Sequence, residues 1–415
     1  LPDEVRAVVL GNGAAVLDLM DVASGEDFES EYERLQEKAC ELGVSVASDP
    51  SALEDLVPDL MRTGPRTWAF GRGLAIGTEV PGATWTKLTD GLQRLPVGQR
   101  DAQVLRGYLF EISQKAPELV PQFLDGTLAQ PHLMEIIVEL HSAVQLDSRA
   151  VQRLKFALET GQVPVWRFKY LASGRATDKL HARELTDLLL KVAAQPDGFD
   201  VAVEVLHMRL HSDLSNQRVH DFELLECGRA LLKQVKYSKN NHDGNYALAQ
   251  VARACLDGAD GTQVAVTIVG QLQEAVKKYE AYAFENDELL GVLLKVHPLP
   301  VLDAIFAGND LARRVSIELF DHLPEHRENP ADQISSEDLI SWCNADPVVR
   351  YPLAASFVSY ARRHQEGQRL QAGGGRPGGL SRPGQVRPRE GPDQAVGAAE
   401  DDLHAGVRPV VVRHG

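Results

Sequence analysis

Apolar residues recur at helical spacing through most of the chain between Asp101 and Tyr360. Leu105, Tyr108, Leu109 and Ile112 fall at i, i+3, i+4 and i+7, which places them on one face of a helix. Leu133, Ile136, Ile137 and Leu140 repeat the template, as do Leu185, Leu188, Leu189 and Val192. Ile268, Leu272, Ala275, Val276 and Tyr279 continue it on a longer, more charged helix. No strand pair with a hairpin signal interrupts these runs.

The breaks are short and chemically recognisable. Ala116-Pro117 ends one helix and opens the next, with proline in the tolerated first turn. Asp125-Gly126, Pro196-Asp197-Gly198, Asp257-Gly258 and Gly308-Asn309-Asp310 read as turns or caps. Many breaks are separated by one helix of about 12–20 residues and a short loop, the signature of antiparallel helix pairs. A long succession of such pairs predicts an all-α fold, an irregular α-solenoid of HEAT-like stacked pairs rather than a closed bundle. The signatures of the TPR and ankyrin repeats are absent.

The first hundred residues are patterned differently. Glu26 to Leu42 reads as a charged helix, and Pro50 to Met61 as another, capped by Ser51 and kinked or shortened at Pro58. Thr63 to Gly82, rich in glycine and carrying Trp68 and Arg72, is the longest stretch expected to be irregular. The expected organisation is therefore an N-terminal helical segment over 1–62, a glycine-rich junction with the first array helix over 63–100, and the helical array over 101–363. Residues 364–415 form a separate tail.

Composition supports the helical reading. Of 415 residues only 6% are aromatic, which suits stacked helices better than a β-sandwich or barrel. The formal charge of -16 argues against a general polyanion-binding surface, which needs clustered Lys and Arg. The four cysteines, Cys40, Cys227, Cys255 and Cys343, are scattered and form no CxxC pair, as expected of reduced, mostly buried thiols. No apolar run reaches the ~18 residues of a membrane span, and no signal peptide opens the chain, so a cytoplasmic location is expected.

The chain starts at Leu1 without Met, directly in a helix-like run with Pro2 in its first turn, as expected of a fragment of a longer protein. From Gln365 to Gly415 there is no Lys, Ile, Phe, Tyr, Trp, Asn, Thr, Met or Cys. Two readings fit: a disordered tail without enough apolar area to offset its ordering entropy, or a GC-rich gene read out of frame. Codons for Arg408 to Gly415 can be chosen so that a one-base shift reads Arg-Trp-Trp-Ser-Gly-Thr.

Several constellations invite chemistry. Gly71-Arg72-Gly73-Leu74-Ala75-Ile76-Gly77 has the spacing GxGxxxG, yet no strand precedes it and no βαβ unit follows, so a flexible loop is expected rather than a dinucleotide site. Gly77 to Gly82 has the outer spacing of a phosphate loop, but Ala83 stands where a lysine must reach the phosphates. His207 and His211 lie four apart in a helical run and could face one metal, with Asp213 or a distant histidine as third ligand. No glutamate lies between them as the general base of a zinc hydrolase, and a polar edge of a packed helix explains the pair more simply.

Trp166, Arg167, Lys169, Tyr170, Arg175 and Lys179 form the densest aromatic–basic cluster, a pattern that can stack bases and hold phosphates or present a partner-binding surface. A snorkelling basic rim around a helix start after Pro164 gives the same pattern. Lys233, Lys236 and Lys239, followed by Asn240-Asn241-His242, mark a helix C-terminus and exposed loop. No GxSxG elbow and no recognised cysteine nucleophile motif occurs, and no cofactor is implied.

Three stretches carry a resemblance: Tyr170-Leu-Ala-Ser-Gly-Arg-Ala176, Asp200-Val-Ala-Val-Glu-Val-Leu-His-Met-Arg-Leu-His-Ser-Asp213, and Asp346-Pro-Val-Val-Arg-Tyr-Pro-Leu-Ala-Ala-Ser-Phe357. They resemble the C-terminal helical region of a group of large bacterial multidomain proteins, over roughly Trp68 to Arg362. The resemblance implies that the helices continue past Arg362 towards a Trp-Ser-Gly segment, which the shifted reading of Arg408–Gly415 would restore. It carries over no catalytic residue. By analogy of fold alone, such arrays accompany NTPase or nuclease modules, as in phage-defence sensors. The expectation is a non-enzymatic scaffold that binds a protein or regulates an effector domain upstream. The alternatives are a nucleic-acid-binding array and a metal-dependent enzyme using His207 and His211.

Overall fold

In the computed structural model, the described residues are 1–11, 25–173, 175–237, 245–320 and 329–358, and all secondary structure among them is helical. The first elements are α1 (Pro2–Val8), α2 (Gly25–Ala47), α3 (Pro50–Leu60), α4 (Thr67–Gly77) and α5 (Pro81–Arg94). There follow α6 (Gln103–Lys115), α7 (Val120–Thr127), the short α8 (Pro131–Met134) and α9 (Ile137–Ser142). After α10 (Ser148–Thr160) comes a 3₁₀ helix, Val165–Ala172, and then α11 (Ala182–Ala193), α12 (Gly198–Ser215), α13 (Phe222–Leu232) and α14 (Asn245–Cys255). The described array closes with α15 (Ala259–Lys277), α16 (Asp287–Val296), α17 (Pro298–Ile305), α18 (Asp310–Ser316), α19 (Ser336–Ala345) and α20 (Pro347–Phe357). None of these helices is long and apolar enough to cross a membrane.

Local chemistry explains the boundaries. Asp49, rather than Ser51, caps α3, accepting from the amides of Ser51 and Ala52, while Pro50 takes the first-turn position that needs no N–H donor. Pro58 lies inside α3, which ends two residues later at Leu60. Asp147, Asp221, Asn309, Ser335 and Asp346 cap α10, α13, α18, α19 and α20 in the same manner. Asp125-Gly126, expected to be a break, lies within α7, where Arg153 holds Asp125 at 2.7 Å.

Each helix packs mainly on helices one or two places away in the chain, which sorts them into two successions. One runs α2, α4, α6, α9, the 3₁₀ helix, α12, α14 and α16. In the other, α3 meets α5, and α11, α13, α15, α17 and α19 follow one another. Many side-chain hydrogen bonds between elements span a similar interval, such as 26 positions for Arg229 to Cys255 and 43 for Gln273 to Ser316.

The glycine-rich stretch expected to be irregular contains α4, whose glycines point at both neighbours. A Cβ on Gly73 would lie 1.9 Å from the Cys40 carbonyl oxygen of α2, and one on Gly71 would lie 2.2 Å from the Val104 carbonyl oxygen of α6. From α6, a Cβ on Gly107 would stand 2.0 Å from the Trp68 carbonyl oxygen. The GxGxxxG spacing is therefore a contact stripe that lets three backbones touch.

The apolar periodicity becomes two buried clusters within one compact unit that reaches Arg362. The first extends from Val5 to Val144 and holds Leu105, Tyr108, Leu109 and Ile112, all fully buried. The second extends from Met134 to Phe357 and holds Leu185, Leu188, Leu189 and Val192. They meet at α8 and α9, where Leu133, Ile136 and Leu140 join the first and Met134, Ile137 and Val138 the second. The run read as one helix over Leu133–Leu140 is thus two short helices serving two cores. At the end of α15 the pattern fails: Tyr279 adopts φ 58 and is 76% exposed, because the helix stops at Lys277. Residues 359–415, which include the expected tail, lie outside the described residues.

Candidate functional site

The 3₁₀ helix following Pro164 carries the aromatic–basic cluster, and its side chains point in different directions. Trp166 is 54% exposed, with the Arg167 guanidinium over its ring at 4.8 Å. Arg167 itself turns inward to a pair of carboxylates, Glu135 at 3.3 Å and the nearly buried Glu139. Glu135 also takes Arg100 at 3.4 Å. Lys169 pairs with Glu204 of α12 at 2.8 Å, and Lys179 donates to the Gln145 amide oxygen at 2.8 Å. Tyr170 is half-buried and faces the Arg106 guanidinium at 5.4 Å, which lies at the same distance from the Trp68 ring. Burial lowers the Arg106 pKa, so this cation is held by two π-faces in a partly dry setting.

Arg100, Arg106, Glu135, Glu139 and Arg167 therefore form a polar seam where the two cores meet. Most of the cluster's positive charge is spent inside the molecule. Sequence spacing could not show this, because the neutralising carboxylates sit about one helix pair away.

Arg175 is the exception. It has φ 58 and is exposed, and among the described residues its side chain has no ion-pair or hydrogen-bond partner, although its carbonyl accepts from the Asp178 amide. A left-handed conformation at a non-glycine residue costs of order 1 kcal/mol and persists only where its surroundings impose it. Here the constraint is visible: the Arg209 guanidinium of α12, 7% exposed, donates to the carbonyls of Thr177 and Leu180 and ion-pairs with Asp213 at 3.3 Å. Ser212 donates to Asp178 at 2.7 Å, and Arg218 bridges Asp178 and Asp213, each at 3.2 Å. These bonds pin Thr177–Leu180 onto α12 and hold Arg175 at the rim of a cavity of about 210 Å³. Leu171, Met208, His211 and Ser215 line it together with Arg175 and Asp178. Leu171, Ala172 and Arg175 on one side and Met208, His211 and Ser212 on the other thus converge on one cleft.

His207 and His211 have ring centroids 6.2 Å apart, and His207 meets Tyr246 of α14 edge-on at 5.6 Å. Burial lowers the His207 pKa, with His211 adding to the effect. Asp213, the suggested third ligand, is engaged by Arg209 and Arg218. Among the described residues no group of three His, Cys, Asp or Glu side chains is placed to hold a metal. Ser212 donates to a carboxylate rather than an imidazole, so this hydrogen bond does not pair a nucleophile with a histidine base. Lys233 follows the end of α13, whereas Lys239–His242 lies outside the described residues.

A feature missed in the sequence runs along the succession that contains the 3₁₀ helix. Trp166, Met208 on α12, Tyr246 on α14 and Tyr282 just before α16 are all exposed, one on each successive member. Lys169–Glu204, His207–Tyr246 and the Asn245–Glu285 hydrogen bond at 2.7 Å tie these members together. The signal was an aromatic or methionine recurring about once per helix pair, legible only once the pairs were placed.

These features define an all-α chain of sequentially packed helices with an aromatic row beside a small, partly cationic cleft. The chain matches no protein-family model, no curated protein and no solved structure.

Proposed function

We propose that this chain is the helical scaffold of a larger cytoplasmic bacterial protein, an irregular HEAT-like α-solenoid that binds a protein partner or effector domain without catalysing a reaction. The observation that carries the reading is the set of exposed side chains Trp166, Met208 and Tyr246 on successive helices, continued by Tyr282 on the approach to α16. Packing restricted to near neighbours is the arrangement from which solenoids build extended binding faces. Rigid aromatic side chains give large contact area at low entropic cost.

The same cluster supports nucleic-acid binding less well. Arg167 and Lys169 would have to leave Glu135, Glu139 and Glu204 to reach a phosphate, and phosphate contacts supply most of the affinity in such complexes.

The test uses the intact chain against a displayed library of random peptides with free C-termini, beside a Trp166→Ala/Tyr246→Ala variant. Both side chains are exposed, so the variant keeps its helical signal and melting temperature. Wild type enriches peptides that the variant fails to retain. Equal retention by both would sink the reading, as would tight binding of labelled duplex or single-stranded DNA that collapses with added salt.

A further inference from the structure

The geometry points to the cleft between the 3₁₀ helix, Arg175–Leu180 and the second half of α12 as a receptor for the C-terminal carboxylate of a partner peptide. This rests on the scaffold reading above and names the chemistry of its partner.

Three observations carry it. First, charge: Arg175 is the one member of the aromatic–basic cluster whose cationic group is left unengaged among the described residues, while Arg167, Lys169, Arg209 and Arg218 are all paired with carboxylates. Of the two aspartates nearest the cavity, Asp178 is answered at Oδ2 by Ser212 and Arg218 while its buried Oδ1 has no hydrogen-bond partner among the described residues, and Asp213 is answered by Arg209 and Arg218. The last carbonyls of α12 are also taken: Ser212 O by the Asn216 amide, Asp213 O by Arg218 N, and Leu214 O by Gln217 N. Arg175, Arg209 and Arg218 set against Asp178 and Asp213 leave one net positive charge beside the cavity, and the planar guanidinium fork suits a carboxylate. The His211 ring and Ser215 hydroxyl lie in the same lining and offer further donors.

Second, size. A volume of about 210 Å³ falls below the ~300–1,000 Å³ of pockets that enclose whole small-molecule ligands. It suits one end of a longer molecule.

Third, continuity. Leu171 and Met208 form apolar walls of the cavity; Leu171 lies on the 3₁₀ helix that carries Trp166, and Met208 is itself a member of the exposed row. A chain whose terminus sits on Arg175 is led directly onto that row.

By gripping the Thr177 and Leu180 carbonyls, Arg209 anchors the backbone just beyond Arg175, so the ordering cost of binding falls mainly on the Arg175 side chain. Capture of a C-terminal carboxylate is a recurring mode of peptide recognition.

The experiment resynthesises peptides retained through Trp166 in two forms, free acid and C-terminal amide, and measures their affinity for wild type, Arg175→Ala, Arg175→Lys and His211→Ala. The amide binds wild type about tenfold or more weakly than the acid, as expected when a charge-assisted contact is lost. Arg175→Ala abolishes the difference between acid and amide with an unchanged melting temperature. Arg175→Lys restores part of it, and His211→Ala reduces it. Acid and amide binding alike through Trp166 would overturn the terminus receptor and leave the scaffold standing. Absence of any peptide retained through Trp166 would remove both. Competition by N-acetylglycine as strong as by the full peptide would overturn the peptide in favour of a free small carboxylate.

Discussion

At the scale of single residues, the groups with the largest consequences are those whose neighbours are hidden from sequence. His141 on α9 is fully buried, and neither ring nitrogen has a hydrogen-bond partner. Burial above all, with the nearby Arg153 charge adding to it and Asp125 opposing it in part, pushes its pKa down to about 3. The unfolded chain takes up the proton near the ordinary value of 6.5, whereas the folded chain does not, so stability is full above that pH and falls as the pH drops towards 3. Between pH 7 and pH 5 the loss from this residue is ~2 kcal/mol. Urea unfolding of wild type and His141→Leu at both pH values checks this. The variant loses less stability on acidification by about that amount, and parallel losses would refute it.

Arg167 changes role in the same way. Its position in the aromatic–basic cluster suggested a surface contact, yet its guanidinium answers Glu139, whose side chain is only 6% exposed. Arg167→Ala leaves that carboxylate buried and unpaired, at a cost of about 3–5 kcal/mol. The chemical midpoint of unfolding falls accordingly, and Arg167→Ala/Glu139→Gln recovers part of the loss. A midpoint within error of wild type would show that the pair carries no structural weight. Binding experiments on this surface are therefore better read from Trp166, which is exposed, than from Arg167.

At the scale of elements, periodicity identified helices wherever one face is apolar and the partner lies nearby in the chain. The all-α class and the faces at Leu105–Ile112 and Leu185–Val192 were legible for that reason. Helix α4 was not. Its glycines are turn formers in isolation, and their helical purpose depends on Cys40 and Gly43 of α2 and on Val104 and Gly107 of α6. The cleft was illegible for a related reason: Arg175 and His211 come together only because Arg209 grips Thr177 and Leu180.

Glycine substitutions separate the two uses of the residue. Gly270, exposed within α15, has nothing within 4 Å of a built Cβ, so Gly270→Ala raises stability by about 0.5–1 kcal/mol through helix propensity. Gly73→Ala sets a methyl against the Cys40 carbonyl and forces α2 and α4 apart. Thermal melts show the two variants moving in opposite directions; a Gly73→Ala melt as high as wild type would mean that α2 and α4 are not in backbone contact.

At the scale of the whole molecule, what matters is how far such a disturbance travels. Helices here contact near neighbours in the chain, and the two apolar clusters meet only around α8 and α9, across a seam of arginines and glutamates. In the solenoid proposed above, stability is close to a sum over units and their adjoining faces, so damage stays local. Forcing α2 and α4 apart should therefore unfold the first cluster while the second persists, because Val201, Leu206, Ala252 and Val292 are buried on elements whose main packing partners do not include α4. Hydrogen exchange read by mass spectrometry distinguishes the cases. In Gly73→Ala, amides of α4 and α6 exchange early while those of α12, α14 and α16 keep wild-type protection. Loss of protection throughout would instead make the two clusters one cooperative unit, with the seam transmitting the strain. Local loss would also mean that the cleft beside α12 survives damage to the N-terminal helices, so a variant disabled in the first cluster would still bind through Arg175.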